Sequence, residues 1–432
     1  MNANIGKIVA AAVALLAVIA VGMNSCNGNG GRNARQRTES KENTEETKTN
    51  VSGSARATNG ATTYKLYIEN SGSMNGYFNS EAGARDARLT LFQLAQSLKC
   101  KELSFINSIE IPIDGEPTSI LKDMTLADFK NYGRQGDPTS SDIANLLKTV
   151  VKSTPSSGHI SLIASDFIFS PSSATAAISL GPAAEKSTIK NIFENAGLSV
   201  AILKTTAQFD GKFFTGHYEK QGKNWRETNY QISQTRPFYI WAIGGAEEIR
   251  GLIEHRDLGS AGVEDILCLT QTAQAVDYRL NQNSTKYDID HSDNKHAVNA
   301  TVGGRNNAFE LKIKADIGGI ALPEEYKTDP ANYSTSNSNF EVTDVRAEKD
   351  GWYILSVKSN TMTAGKLSVN LMAQTEVPAW VRRSSMQSGE WDIRNDGNEQ
   401  RTFGFKELVE GVMEAMLTDG NENYTTITIK IN

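Results

Sequence analysis

The sequence has few of the residues on which metal centres and covalent catalysis usually depend. It contains three cysteines and five histidines in 432 residues, and no pair of cysteines has the spacing of zinc ligands. Motifs for a serine nucleophile (Gly-x-Ser-x-Gly), a zinc protease (His-Glu-x-x-His) and a phosphate-binding loop are missing as well. These absences argue against a zinc enzyme, a nucleotide hydrolase and a hydrolase with a serine or cysteine nucleophile.

Two of the three cysteines lie in apolar surroundings. Cys100 ends a predicted helix, and Cys268 lies inside the apolar run 266–269. Because free cysteine is among the most buried residue types, we expect two buried thiols. A disulfide between them is the alternative in an oxidising compartment.

Positive charge is scarce outside the N-terminal segment. The formal net charge is −6, and residues 1–61 carry seven Lys/Arg against four Asp/Glu. The rest of the chain therefore carries 37 Lys/Arg against 46 Asp/Glu, a net charge of −9. Because a net negative charge of this size disfavours contact with nucleic-acid phosphates, no nucleic-acid partner is expected.

The N-terminus has an apolar run shorter than an ordinary membrane-spanning helix. Lys7 precedes fourteen apolar residues, 8–21, and a basic start before a short apolar core is typical of an export signal. Ser25-Cys26 resembles the cleavage box of bacterial lipoproteins, which implies that Cys26 is lipidated. The alternative is an uncleaved anchor helix over residues 8–23. Either way, residues 1–26 predict an exported protein tethered in the bacterial cell envelope, facing the periplasm or the surface.

Residues 27–61 form a polar segment in which Val51 is the only large aliphatic residue. Such a composition cannot bury enough apolar surface to offset the entropy of ordering the chain. We expect a disordered linker that holds the folded body away from the membrane.

Strands alternate with helices from residue 62 to residue 256, which we interpret as one α/β domain. Apolar runs predict strands over 64–69, 105–113, 159–164, 198–203 and 238–243, and helical spacing predicts helices over 86–100, 142–151, 187–196 and 246–255. This alternation predicts a doubly wound, mostly parallel sheet with helices on both faces. In such sheets ligands bind beyond the carboxyl ends of the strands.

Three polar clusters fall at these strand ends or helix starts. The run Glu69-Asn70-Ser71-Gly72-Ser73-Met74 follows the first strand, Thr139-Ser140-Ser141 precedes a helix, and Ser165-Asp166 ends a buried strand. In order and approximate spacing they resemble the Asp-x-Ser-x-Ser motif, the threonine loop and the Thr-Asp-Gly motif of von Willebrand factor A domains. The resemblance covers residues 62–256 and implies a Rossmann-like fold with a metal-ion-dependent adhesion site.

The resemblance implies a specific set of ligands for Mg²⁺, or for Mn²⁺ or Ca²⁺ in its place. Hard cations prefer oxygen ligands and commonly keep waters or accept a carboxylate from outside. A protein partner that offers an Asp or Glu side chain would complete the shell. Glu69 stands where the family has Asp, and Phe167 where it has Gly. The expected metal-site residues are Glu69, Ser71, Ser73, Thr139, Ser141 and Asp166. The plain structural alternative is a strand-to-helix turn at residues 70–73.

Residues 209–236 interrupt this α/β pattern with scattered aromatic residues. We interpret them as a hairpin that packs on the core, because aromatic side chains usually bury. A lid that binds a partner is the alternative.

The pattern changes to alternating residues in the C-terminal region, 257–432. Strict alternation predicts a strand over 309–317, and further strands are expected over 352–357, 366–372 and 424–430. One amphipathic helix is expected over 406–417. This pattern predicts a mainly antiparallel domain, with an immunoglobulin-like β-sandwich as the expected fold. The Asp-rich run 288–299 is interpreted as an exposed loop rather than a Ca²⁺ site, and residues 376–383 as a turn at a strand end.

Together these features predict a non-catalytic, cation-dependent protein-binding module of the cell envelope, acting in adhesion or in the assembly of a surface complex. The second hypothesis is a structural component of an envelope complex that needs no metal. A metal-assisted hydrolase that uses Glu69 and Asp166 is the third.

Overall fold

The computed structural model describes residues 62–79, 86–138, 142–169, 181–221, 223–255, 257–302, 309–361, 363–386 and 398–432. The predicted signal, Cys26 and the predicted linker lie outside these residues. The chain from Asn59 onward forms one compact unit. Within the described ranges, no helix has the length and apolar character needed to cross a membrane.

A seven-stranded mixed sheet is the largest element of the protein. Its spatial order is β3-β2-β1-β4-β6-β5-β7. The strands are β1 (Thr63–Glu69), β2 (Glu102–Ile106), β3 (Glu110–Ile113), β4 (His159–Ser165), β5 (Ser199–Gln221), β6 (Asn224–Gly244) and β7 (Asp265–Leu269).

Parallel pairing is confined to the middle of this sheet. β1 pairs in parallel with β2 on one side and with β4 on the other. The ladders β2–β3, β4–β6, β5–β6 and β5–β7 are antiparallel. The α/β class is therefore confirmed, with a parallel centre and antiparallel flanks. The change of direction arises because β5 and β6 form one hairpin, where the sequence pattern suggested separate strands joined by crossovers.

Helices cover both faces of the sheet. Nine α-helices occur among the described residues: α1 (Ala87–Leu98), α2 (Pro117–Asp123), α3 (Leu126–Gly133), α4 (Ile143–Ser153), α5 (Gly181–Phe193), α6 (Ala246–Ile253), α7 (Glu324–Thr328), α8 (Ala379–Ser384) and α9 (Phe405–Met416). Buried residues of α1, α2, α3 and α6 share a cluster with one face of the strands. Those of α4, α5, α8 and α9 share a second cluster with the other face.

The segment 105–113, predicted as one strand, is a hairpin made of β2 and β3. Asn107 turns the chain, because its side-chain oxygen accepts the Ile109 N–H at 3.3 Å and its own N–H bonds to the Ile109 carbonyl at 3.0 Å. Such local bonds are the usual reason why Asn favours turns.

Two helices after this hairpin, α2 and α3, lie where the sequence pattern gave no helix. Pro117 begins α2 at a first-turn position that suits proline. Thr125 and Asp128 form a capping box at the start of α3. Both signals are local, but both helices are too short to show a clear apolar period.

The hairpin predicted for residues 209–236 is present and is longer than expected. β5 and β6 pair from Ser199/Gly244 to Gln221/Asn224, whereas their neighbours end near Lys204 and Tyr239. A two-stranded arm therefore extends beyond the sheet. Phe209 and Phe213 at its base are buried against the 3-10 helix Met74–Phe78 and the neighbouring core.

The C-terminal region contributes further sheets, mostly antiparallel. A five-stranded sheet has the order β12-β15-β18-β10-β9 and a four-stranded sheet the order β13-β14-β11-β8. Residues of both share one buried cluster. The strands are β8 (Tyr278–Leu280), β9 (Asp288–Ile289), β10 (His296–Val298), β11 (Phe309–Ala315), β12 (Tyr333–Thr335), β13 (Phe340–Ala347), β14 (Tyr353–Ser359), β15 (Gly365–Met372) and β18 (Asn423–Ile431), and a separate small pair is formed by β16 (Ser385–Met386) and β17 (Thr402–Phe403).

The prediction of two buried thiols is confirmed. Cys100 and Cys268 are both free and buried. Burial raises the pKa of each thiol to about 12, so both stay protonated and unreactive at neutral pH.

Candidate functional site

The candidate site lies beyond the carboxyl ends of β1 and β4. β1 has β2 on one side and β4 on the other. The order in which successive strands are added to the sheet therefore reverses at β1. Crevices at such positions are the usual ligand sites of open α/β sheets. Glu69, the last residue of β1, is completely buried there.

Asn70 fixes the start of the loop that follows β1. Its N–H bonds to the Ile106 carbonyl at 2.9 Å, and its side-chain amide donates to the Phe129 carbonyl in α3 at 2.8 Å. A Cβ at Gly133 would lie 2.2 Å from the Asn70 Oδ1, so only glycine permits this approach. The Asn70 side chain therefore connects the loop to α3, and its contacts are structural.

Two of the predicted ligands, Ser71 and Ser73, bring their hydroxyl groups together. Their Oγ atoms are 3.0 Å apart. Ser73 also hydrogen-bonds to the Asp166 side chain from the end of β4. The structure thus joins three of the predicted residues in one chain of oxygen atoms, a set that suits a hard cation.

Asp166 is buried next to Ser73. Its Oδ1 accepts the Ile168 N–H at 3.2 Å. Burial raises the pKa of this carboxyl, while the Ile168 N–H, the Ser73 hydroxyl and the positive charge of Arg236 act in the opposite direction. The net direction is upward, because removing a carboxylate from water outweighs these partners.

Glu69 is connected to this group through Ser165. The Ser165 hydroxyl donates to the Glu69 Oε2 at 3.5 Å and accepts the Phe167 N–H at 2.8 Å. Glu69 therefore contacts Ser165, the residue that directly precedes Asp166.

Phe167 shows how this loop differs from the Thr-Asp-Gly pattern. Its φ is +50°, in the left-handed region that glycine adopts at little cost. The ring stacks on Trp241 with a centroid distance of 4.7 Å and an interplanar angle of 16°. Packing on Trp241 therefore holds a backbone conformation that the sequence alone would disfavour.

The remaining two predicted ligands, Thr139 and Ser141, lie outside the described residues. The neighbouring Pro138 is described, and its carbonyl accepts the Gly72 N–H at 3.0 Å. The chain just before the predicted threonine loop is thus fastened to the middle of the Ser71–Ser73 loop. A cluster of three or more His, Cys, Asp or Glu side chains able to hold a metal does not occur among the described residues, so hydroxyl oxygens would have to supply part of any shell.

Sequence reasoning missed Arg236 and Tyr77, which lie beside the site. Arg236 is fully buried on β6, and the Tyr77 hydroxyl donates to the Pro237 carbonyl at 2.5 Å. The sequence does indicate that Arg236 is buried, because it lies two and four residues before Phe238 and Ile240 and shares their apolar face of the strand.

Two other polar segments prove to be structural. The prediction of an exposed loop over 288–299 is wrong in part, because this run contains β9 and β10, and His296 and Ala297 are buried. Between the two strands, Asp290 accepts the Ser292 N–H and hydroxyl, both at 2.8 Å. In the segment 376–383, where a turn was predicted, Trp380 instead lies in the short helix α8 and packs against Phe405 at a ring distance of 6.2 Å.

Comparison with known proteins finds no relative of this chain. The chain matches no protein-family model, no curated protein and no solved structure.

Proposed function

We propose that this chain is a cation-dependent protein-binding module of the bacterial cell envelope, with a von Willebrand factor A-like domain that carries a variant metal-ion-dependent adhesion site. The central order β2-β1-β4 and the position of the Ser71–Ser73 loop at the carboxyl end of β1 support this proposal. We also propose that the C-terminal sheets form an immunoglobulin-like sandwich, because residues of both sheets share one apolar cluster.

The separation of the two serine hydroxyl groups carries the proposal. Neighbouring ligands of an octahedral Mg²⁺ ion, each about 2.1 Å from the metal, lie about 3 Å apart. The Oγ atoms of Ser71 and Ser73 are 3.0 Å apart. The two oxygen atoms therefore have the separation of one edge of a magnesium coordination shell, and cation binding would replace their mutual hydrogen bond by two bonds to the ion.

The other residues would have separate roles. Asp166 supplies negative charge next to Ser73, and buried Glu69 supplies it through water or through Ser165. Thr139 or Ser141 would add a third hydroxyl group. Because few protein charges reach the ion, it would remain electrophilic and accept an Asp or Glu side chain from a protein partner. The N-terminal segment, with Cys26 as its lipidated residue, would tether the module to the membrane.

The first prediction tests the cation site directly. Titration calorimetry with Mg²⁺ and Mn²⁺ should show binding to the wild-type chain, and Ser71→Ala/Ser73→Ala should lower the affinity at least about tenfold, because two ligands are lost. A matched control is Ser368→Ala/Thr428→Val, which removes another hydrogen-bonded hydroxyl pair, 3.3 Å apart in the C-terminal sheet. The control should bind like wild type. Absence of binding by the wild-type chain would refute the cation site.

One observation favours a second candidate, a structural component of an envelope complex that needs no metal. The buried guanidinium of Arg236 already places a positive charge close enough to act on Asp166. Capture of partners from an envelope extract with and without EDTA separates the two candidates. Capture lost in EDTA supports the adhesion site, and capture unchanged by EDTA supports the structural component.

A further inference from the structure

Arg236 is a charged side chain inside an apolar core. It is fully buried, with its guanidinium carbon 3.9 Å from the centre of the Phe213 ring and 5.6 Å from that of Phe209. Moving a cation out of water into such surroundings is costly unless an opposite charge compensates it.

Direct hydrogen bonds to Arg236 are few. Nη2 donates to the Arg401 carbonyl at 3.5 Å, and the guanidinium also bonds to the Tyr77 hydroxyl. Among the described residues, its buried Nε and Nη1 have no hydrogen-bond partner. Carbonyl and hydroxyl oxygens are neutral, so the compensating negative charge has to come from farther away.

The candidate site supplies that negative charge. Tyr77, which contacts the guanidinium, lies four residues after Ser73 in the same loop and 3-10 helix. Asp166 is buried as well and directly follows Ser165, the last residue of β4. The pairing of Ser165 with Tyr239 brings the end of β4 beside the same stretch of β6. Arg236 is thus buried on the strand next to the one that Asp166 follows.

We propose that Arg236 is the resident counter-cation of this site, a positioning residue that stabilises the Asp166 carboxylate and weakens the binding of a divalent cation beside it. A guanidinium and a divalent ion repel each other in a medium of low dielectric, and they compete for the same carboxylate. This inference rests on the proposed cation site and explains how that site keeps its fold in the absence of an ion.

The test compares two substitutions of Arg236 by calorimetry with Mg²⁺. Arg236→Gln removes the charge and should tighten Mg²⁺ binding by about tenfold, since the repulsion is gone. Arg236→Lys keeps the charge and should bind like wild type. Arg250→Gln, which removes the same charge from the partly exposed helix α6, serves as a control and should leave the affinity unchanged. A purely structural role for Arg236 predicts equal or weaker binding in Arg236→Gln, and that result would overturn the proposal.

A second measurement separates this inference from the proposed function. In metal-free buffer, the unfolding free energies of Arg236→Gln, Asp166→Asn and the double variant form a double-mutant cycle. A double variant less destabilised than the sum of the single variants supports the pairing even if wild type binds no Mg²⁺, whereas additive effects would contradict it. If Arg236→Gln does not fold, recovery of the fold with Asp166→Asn or with Mg²⁺ supports the proposal, and failure of both contradicts it.

Discussion

Burial controls the charge of single residues in this protein, and Glu185 shows the effect away from the candidate site. It lies in α5, where burial and the nearby carboxylate of Asp142 raise its pKa to about 7, against the opposing effect of the Ala144 N–H. A glutamate whose pKa is higher in the folded than in the unfolded state binds its proton more tightly when folded. It therefore favours folding at low pH, and that contribution is lost as the pH rises from about 4.5 to about 7.

Glu185→Gln should accordingly stabilise the protein at alkaline pH. The amide has the shape of the protonated acid and cannot ionise, so the variant should equal wild type near pH 4.5 and exceed it by about 1–2 kcal/mol at pH 8. Urea unfolding at several pH values measures the difference. Exposed Glu194, just after the same helix, provides the control, and Glu194→Gln should show no such trend. A constant difference between Glu185→Gln and wild type across this pH range would contradict the assignment.

Among single residues, some members of the candidate site could be predicted from the sequence and others could not. Ser71 and Ser73 are two positions apart in one loop, so local spacing alone brings their hydroxyl groups together. Asp166 was predictable because buried strands of this type end at one edge of the sheet. The role of Arg236 depends on the register of β6 against β4, and a long-range register of this kind is not visible in a single sequence.

At the scale of elements, the long β5–β6 hairpin decides the architecture of the sheet. The strands 198–203 and 238–243 and the hairpin over 209–236 were predicted as separate features. Their continuity as one antiparallel pair was not predicted, because the aromatic residues between the two strands follow no regular period. The arm that results is held to the candidate site by a close contact. A Cβ at Gly211 would lie 2.8 Å from the Gly76 Cα, and one at Gly76 would lie 2.4 Å from the Phe209 ring.

Adding a methyl group at this contact should loosen the 3-10 helix that follows the Ser71–Ser73 loop. Gly211→Ala forces one backbone away from the other, and we expect a loss of about 1–3 kcal/mol of unfolding free energy. Denaturant unfolding measures the loss. Gly251→Ala in α6 is the matched control, because nothing lies within 4 Å of its new Cβ, and it should be neutral or stabilising by up to about 1 kcal/mol. Equal stability of the two variants would show that the contact carries no constraint.

At the scale of the whole molecule, residues far apart in sequence complete the same core. β7 pairs with β5 at an edge of the first sheet, although it follows the boundary predicted at residue 256. Phe405, at the start of α9, stacks on Tyr239 of β6 at 3.9 Å. The cluster on that face of the sheet also includes Leu408, Val409 and Val412, all of them fully buried.

This arrangement predicts that residues 62–256 do not form a stable domain alone. Truncation removes four large or branched side chains of α9 and exposes the sheet surface that they cover. The burial of each such side chain contributes about 1.5–3 kcal/mol. The sum approaches the whole stability of an ordinary domain, about 5–15 kcal/mol. Loss of β7 adds an unpaired edge on β5.

The corresponding experiment compares fragment 62–256 with residues 62–432 by thermal unfolding and by the dispersion of amide signals in NMR spectra. The longer chain should unfold cooperatively and give dispersed signals, whereas the fragment should give a broad transition and collapsed signals. A further fragment, 62–275, restores β7 without α9 and separates the two contributions, because the sheet edge is then paired while the face under α9 stays exposed. We expect 62–275 to remain unstable, since the apolar burial by α9 outweighs one short strand. A cooperative transition in fragment 62–256 would instead establish the predicted boundary as that of an independent domain.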